Sequence, residues 1–202
     1  MTALFGVTVK LKLEGARERM NAAKKGLGDR ATVSALNKTA AQAQTQMSKL
    51  IRQDYNISAS LVRERLRVRR AVRRGEYAFE AALLGNANNQ TRAMNLIHFL
   101  EKKVTLAEGK RRGKAGTQNL LFFKIKKTGA KINVKGTFIG NKGRTIFKRT
   151  GSTRLPIAPK QTIGVPQMFN TKKNRGAVEK LIREVFPRVF QKEAAFYLSR
   201  LK

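Results

Sequence analysis

Seven arginines crowd residues 63 to 74, "RERLRVRRAVRR", the densest charge in the chain. On a helix, Arg63, Arg67, Arg70 and Arg74 fall at i, i+4, i+7 and i+11 and share one face. Guanidinium groups so placed can track phosphates, which positions a protein on nucleic acid without reading bases. The same face can instead lie in solvent or meet an acidic neighbouring subunit. A second cluster, Lys110, Arg111, Arg112 and Lys114, stands in "EGKRRGKAGTQ", whose glycines predict an exposed loop. The third candidate is "FKRTGSTRLPI", residues 147–157. Its Gly151 and Ser152 would let a backbone approach phosphate oxygens, with Lys148, Arg149 and Arg154 around them. Its Leu155, Pro156 and Ile157 have no use among phosphates and ask for an apolar partner.

Bond-making chemistry is poorly supplied. Residues 109–178 hold no Asp or Glu and 18 Lys and Arg, so that stretch offers neither a carboxylate pair nor a Mg²⁺ site. The single histidine, His98, has no second His or metal cluster beside it and reads as a partly buried, hydrogen-bonded structural residue. No Walker loop or dinucleotide-binding glycine fingerprint is present. The expectation is a protein that is not an enzyme and needs no cofactor. The chain has no cysteine, hence no disulfide framework or thiolate site. There is no Trp, and Phe122, Phe123, Phe138 and Phe147 alternate as strand residues do, which favours core over base-stacking platforms.

Those residues stand on 202 positions carrying 44 Lys and Arg against 12 Asp and Glu, a formal +32. Such a surface attracts polyanions and repels its own copies. A 41% hydrophobic content is enough to bury a core. No apolar run approaches the roughly 18 residues of a membrane span. The start, "MTALFGVTVKLKLEG", alternates like a strand and lacks the pattern of a secretory signal. The expected place of synthesis is a cytoplasm, with no membrane partner.

The patterning predicts one α+β domain over 1–202: a helical part, 15–74, a β-rich part, 76–150, an extended Pro-containing arm, 151–171, and a C-terminal helix, 175–202. Val7, Val9, Leu11 and Leu13 alternate as in a half-buried strand. A short helix is expected over "ARERMNAAKK". Asp29 then caps a long helix to about Tyr55, with a seam of Val33, Leu36, Ala40, Ala43, Met47 and Leu50. Ser58 or Ser60 caps a short helix, "LVRERLRV". Tyr77, Phe79, Ala81 and Leu83 read as a strand, and 86–90 as a linker. "LIHFLEKKVTL" is too short to assign between strand and helix. "NLLFFKIKK", "KINVKGTFIG" and "RTIFKRT" read as three antiparallel strands. The final helix places Val178, Leu181, Ile182, Val185, Val189, Phe196 and Leu201 broadly on one face, with Pro187 kinking or dividing it.

"SALNKTAAQAQTQMSKLIRQDYNIS" and "FIGNKGRTIFKRTGSTRLPIAPKQTIGVPQMF" resemble the minor tail protein Z family of long-tailed bacteriophages and prophages. The likeness runs in order over roughly residues 30 to 190. It is carried by "ALNKTA" in the early helix, the basic aromatic strand "IFKRTG", and "RLPI" followed by "VPQMF". These are not catalytic motifs. The basic segments 63–74 and 108–114 are not part of the shared pattern.

The resemblance implies a virion structural protein of the tail-completion type, made in the bacterial host cytoplasm. It would act at the head-proximal tail and neck as a ring of six around the DNA channel. On that reading the arm lies against a neighbouring subunit or tail protein. Its contacts would be Phe147, Arg149, Arg154, Leu155, Pro156 and Ile157, continued by Pro166, Met168 and Phe169. The alternative at this point is a loop packed on its own subunit. Charge limits the DNA contact: six times +32 is roughly +192, whereas about 40 Å of duplex carries only about 24 phosphates. Most cations therefore face solvent anions or acidic neighbours. Two other functions stay open, a free-standing sequence-nonspecific nucleic-acid binder and a tail terminator that sets tube length.

Overall fold

A computed structural model describes residues 6–11, 26–73, 79–85, 93–104 and 120–200. The expected "ARERMNAAKK" helix, the linker 86–90 and the loop 108–118 lie outside them. The first elements are β1 (Gly6–Leu11), α1 (Leu27–Asp54), α2 (Ala59–Arg65), β2 (Arg67–Arg73) and β3 (Phe79–Leu84). Next come β4 (Met94–Asn95), a 3-10 turn (Leu96–Phe99), β5 (Leu100–Val104), β6 (Leu120–Phe123) and β7 (Ile132–Asn133). The remainder is β8 (Thr137–Gly140), β9 (Thr145–Arg149), β10 (Ile157–Pro159), β11 (Gln161–Thr162), α3 (Val165–Phe169) and α4 (Lys172–Ser199). The architecture is α+β, with long helices near both ends and antiparallel strands between them.

Helix α1 is the spine, and its small side chains explain why. Ala31, Ala35 and Ala43 are fully buried, so neighbouring elements can approach closely. Its first half packs with Phe79 and Ala81 of β3 and with Phe186 and Phe190 of α4. Its second half, through Met47 and Ile51, joins Leu83, Phe99, Phe169 and Val178. The seam is turned slightly from the predicted one: Ile51 is buried where Leu50 was expected, and Val33 is half-buried. Asp29 does not cap this helix. Gly26 does, at φ 80°, a left-handed conformation open to glycine. Asp29 lies inside the first turn, where its charge favours the helix dipole.

Helix α4 runs unbroken through Pro187. Pro187 is exposed, and Phe186 and Phe190, stacked at 6.0 Å and packed on α1, carry the helix past the lost backbone bond. The buried face is Val178, Ile182, Phe186 and Phe190, an i, i+4 row; Phe196, expected on that face, is 45% exposed.

The strands do not form one sheet. The orders are β1-β3-β2, β5-β6-β7 and β10-β9-β8, with β11-β4 as a separate pair. "KINVKGTFIG" is split between two sheets, because β7 pairs with β6 and β8 pairs with β9. "LIHFLEKKVTL" supplies both a 3-10 turn and a strand. The stretch 151–171, expected to be an extended arm, contains β10, β11 and α3.

One polar joint ties the two long helices. Lys38 Nζ donates to Glu193 Oε1 at 2.5 Å and Ser34 Oγ to Oε2 at 2.6 Å. Glu193 is buried, yet these hydrogen bonds, that of Lys38 foremost, hold its pKa below the usual 4.5. A carboxyl group depressed in the folded state contributes stability that is present above its unfolded pKa and lost as pH falls through the folded one. Glu193→Gln should therefore cost about 1–2 kcal/mol at pH 7. The gap from the native chain should narrow on acidification below about 4.5 in urea unfolding. An equal gap at both pH values would show that the charge is not what holds this joint.

Candidate functional site

The arginine-rich segment changes conformation midway. Ser58 caps α2, its Oγ accepting the Leu61 N–H at 3.3 Å. The helix ends at Arg65, Leu66 is extended, and β2 follows. Two carboxamides of α1 fix this switch. Gln44 Nε2 donates to the Leu66 carbonyl at 2.8 Å. Asn37 Oδ1 accepts the Ala71 N–H at 2.8 Å, within a β-bulge where pairing with β3 skips from Arg69 to Val72. Asn37 and Gln44 are seven residues apart, two turns along the helix, so they project from the same side.

The predicted helical arginine face therefore does not form. Arg63 is on α2, Arg67 and Arg70 are on β2, and Arg74 is outside the described residues. Arg63, Arg67 and Arg70 are exposed, and among the described residues none of them meets a carboxylate. Arg69 differs: it pairs with Glu80 of β3. Lys110, Arg111 and Arg112 fall outside the described residues. His98 is exposed in the 3-10 turn, where a partly buried, hydrogen-bonded residue was expected. Partial desolvation and then the charge of Arg65 lower its pKa from the usual 6.5.

The proposed arm contacts separate into two groups. Pro166, Met168 and Phe169 are buried within their own subunit, on α3, which removes them from the interface set. Gln167 Oε1 accepts the Gly164 N–H at 2.9 Å, and Asn174 Nδ2 donates to the Met168 carbonyl at 2.8 Å. These bonds fix the short helix. A Cβ on Gly85 would stand 3.2 Å from Phe169, which shows how closely that ring packs on the end of β3.

The other group stays at the surface. Arg149, Arg154, Pro156 and Ile157 are exposed, Leu155 is 64% exposed, and Phe147 is half-buried. They lie on β9, on β10 and in the connection 150–156, which Thr150 closes by donating N–H and Oγ1 to the Pro156 carbonyl at 3.2 and 3.0 Å. Asn95 anchors this hairpin to the body of the subunit. Its Oδ1 accepts the Ile146 N–H at 2.8 Å and its Nδ2 donates to the Ile146 carbonyl at 3.2 Å. Asn37, Gln44 and Asn95 position both surfaces, and sequence reasoning missed all three. Their only local signal is a carboxamide among half-buried positions.

A family model described as prophage minor tail protein Z matches residues 11–202. The chain belongs to the prophage minor tail protein Z family. No curated protein and no solved structure matches it. The arginine strand and the hairpin both lie inside the matched residues, although 63–74 was expected outside the shared pattern. Membership gives the chain a structural role in a phage tail, among other tail proteins. No helix among the described residues is long and apolar enough to cross a membrane.

If the carboxamide grip sets the course of the arginine strand, Asn37→Ala should leave the Ala71 N–H without a partner. The expected cost is about 1–3 kcal/mol. Hydrogen exchange in 67–73 should rise well before the rest of α1 loses protection. Unchanged protection there would show that β3 pairing alone suffices.

Proposed function

We propose that this protein completes the tail at its head-proximal end, as a ring of six subunits around the DNA channel, without bond-making chemistry. Arg63, Arg67 and Arg70 line the channel side and touch phosphates by charge alone. Lys110, Arg111 and Arg112 are further phosphate contacts on this reading. The hairpin bearing Phe147, Arg149, Arg154, Leu155, Pro156 and Ile157 meets a neighbouring subunit or neck protein. The observation that carries the reading is the exposure of Arg63, Arg67 and Arg70 without carboxylate partners among the described residues, in a chain whose family builds phage tails. A ring around a genome puts such unpaired cations beside phosphates, and the limit of about 24 phosphates per 40 Å suits a small outward subset.

Phage tails produced without this protein test the role directly. Tails of normal length that fail to join heads or deliver DNA are the expected outcome in negative-stain micrographs. Overlong tails would assign it to termination instead, and normal infectious particles would remove it from assembly altogether. A ring of six should appear in native mass spectrometry of the purified protein or of its complex with tail proteins.

Replacing Arg63, Arg67 and Arg70 together by Gln should weaken retention of duplex DNA and flatten its salt dependence. The slope of log affinity against log salt should fall by about 0.9 for each phosphate that the variant no longer neutralises. An unchanged slope would mean that these arginines face away from the genome. Tight DNA binding by a chain that never enters virions would instead favour a free-standing nucleic-acid binder.

A further inference from the structure

The three-stranded meander β8–β9–β10 has one covered face and one bare face. Ile146 is fully buried with Leu96, Leu121 and Phe123 on the covered side. Strand alternation turns the residues flanking Ile146 the other way. There, Phe147 is registered between Phe138 and Pro159, and Arg149 stands beside Ile157. The Phe138 and Phe147 rings stack with centroids 6.0 Å apart, and the Arg149 guanidinium lies 5.4 Å from the Phe138 centroid. A Cβ on Gly140 would stand 2.8 Å from Phe147, so the ring lies down against that end of β8. Ile157 is 38% exposed, and Leu155, at the tip of the same hairpin, is 64% exposed. A row of two half-buried rings and exposed aliphatic side chains on an outward sheet face is more than scattered surface apolarity.

The charge around this row has a single sign. Lys142, Arg144, Arg149 and Arg154 are exposed around it, and the whole stretch 109–178 contains no acid. We infer that the bare meander face docks an acidic protein segment, one whose apolar side chains are flanked by Asp or Glu. This names the kind of partner for the docking hairpin and so rests on the tail-completion reading. Of the two occupants open to the hairpin, a neighbouring subunit and a neck protein, the neck protein is the one that fits, because another copy would bring the same acid-free stretch 109–178 to this face. Nucleic acid is the wrong occupant too. Leu155, Ile157 and Pro159 offer no ring for a base to stack on, and the two phenylalanines already stack on each other.

The test uses the full-length, isotope-labelled chain and three probes: a capped peptide alternating Glu with Leu, Ile and Phe, the same peptide with Lys for Glu, and a 15-nucleotide oligothymidylate. The acidic peptide should bind with Kd below about 1 mM and shift the resonances of residues 138–159. Leu155→Ala with Ile157→Ala should weaken it about tenfold while leaving thermal unfolding unchanged. The Lys peptide should not bind. Oligothymidylate moving the same resonances would overturn the proposal in favour of a single-stranded nucleic-acid platform. Self-association abolished by the same double substitution would overturn it in favour of a second copy. Equal binding of both peptides, or no binding of the acidic one, would also refute it. None of these results bears on whether tails made without the protein fail to join heads, so the two claims fail separately.

Discussion

Carboxylates are scarce in this chain, and the scarcity governs how it is held together. With 44 cations and 12 acids, ion pairs can secure only a few junctions. Asp54, Glu80 and Glu193 each bridge separate elements, to Lys173, Arg69 and Lys38, and Glu101 of β5 meets Lys131 just before β7. Among the described residues, other long-range polar joints are neutral. Asn37 holds the Ala71 N–H, Gln44 the Leu66 carbonyl, and Asn95 both backbone groups of Ile146. A carboxamide bound to backbone contributes about 1 kcal/mol, and losing it leaves a backbone group unsatisfied. Such bonds work inside a strongly positive field without adding to it.

The consequence reaches the surface. Because neutral groups and the apolar core carry the fold, most cations are left to face outward. In the arginine-rich segment the division is visible residue by residue. Arg69 pairs with Glu80 across the sheet, whereas Arg63, Arg67 and Arg70 stay exposed. The grip of α1 on Leu66 and Ala71 decides which arginine belongs to which group, because it makes the segment a strand where a helix would have aligned a different set. At the other surface, Asn95 fixes β9, and β9 orients Phe147 and Arg149 outward.

The two long helices, the α+β class and most strand positions were legible, because their apolar periods are long or their alternation is clean. The arginine segment was not. Arginines at i, i+4 and i+7 suggest a helix face, yet Leu66 and Val68 alternate with Arg65, Arg67 and Arg69 at the period of a strand. Apolar spacing, not charge spacing, prevailed, since the apolar residues have a core to enter: Leu66 is only 2% exposed. The α3 segment misled for a related reason. "VPQMF" without periodicity looks like an arm, but five residues are too few to show a helical period, and its fit against Gly85 and Met47 is a long-range matter. The contacts of Asn37 and Asn95 span 34 and 51 residues, which no local pattern reports.

Neutral joints and apolar burial hold the fold while the charge is left for partners, and urea unfolding of the purified chain across a salt series puts this to the test. Screening weakens exposed ion pairs but relieves the mutual repulsion of a chain at +32. The unfolding midpoint should hold or rise between about 0.05 and 0.5 M sodium chloride, where the Debye length shrinks from beyond 10 Å to a few Å. A midpoint that falls steadily with salt would contradict it, by showing that attraction between charges is what keeps this protein folded.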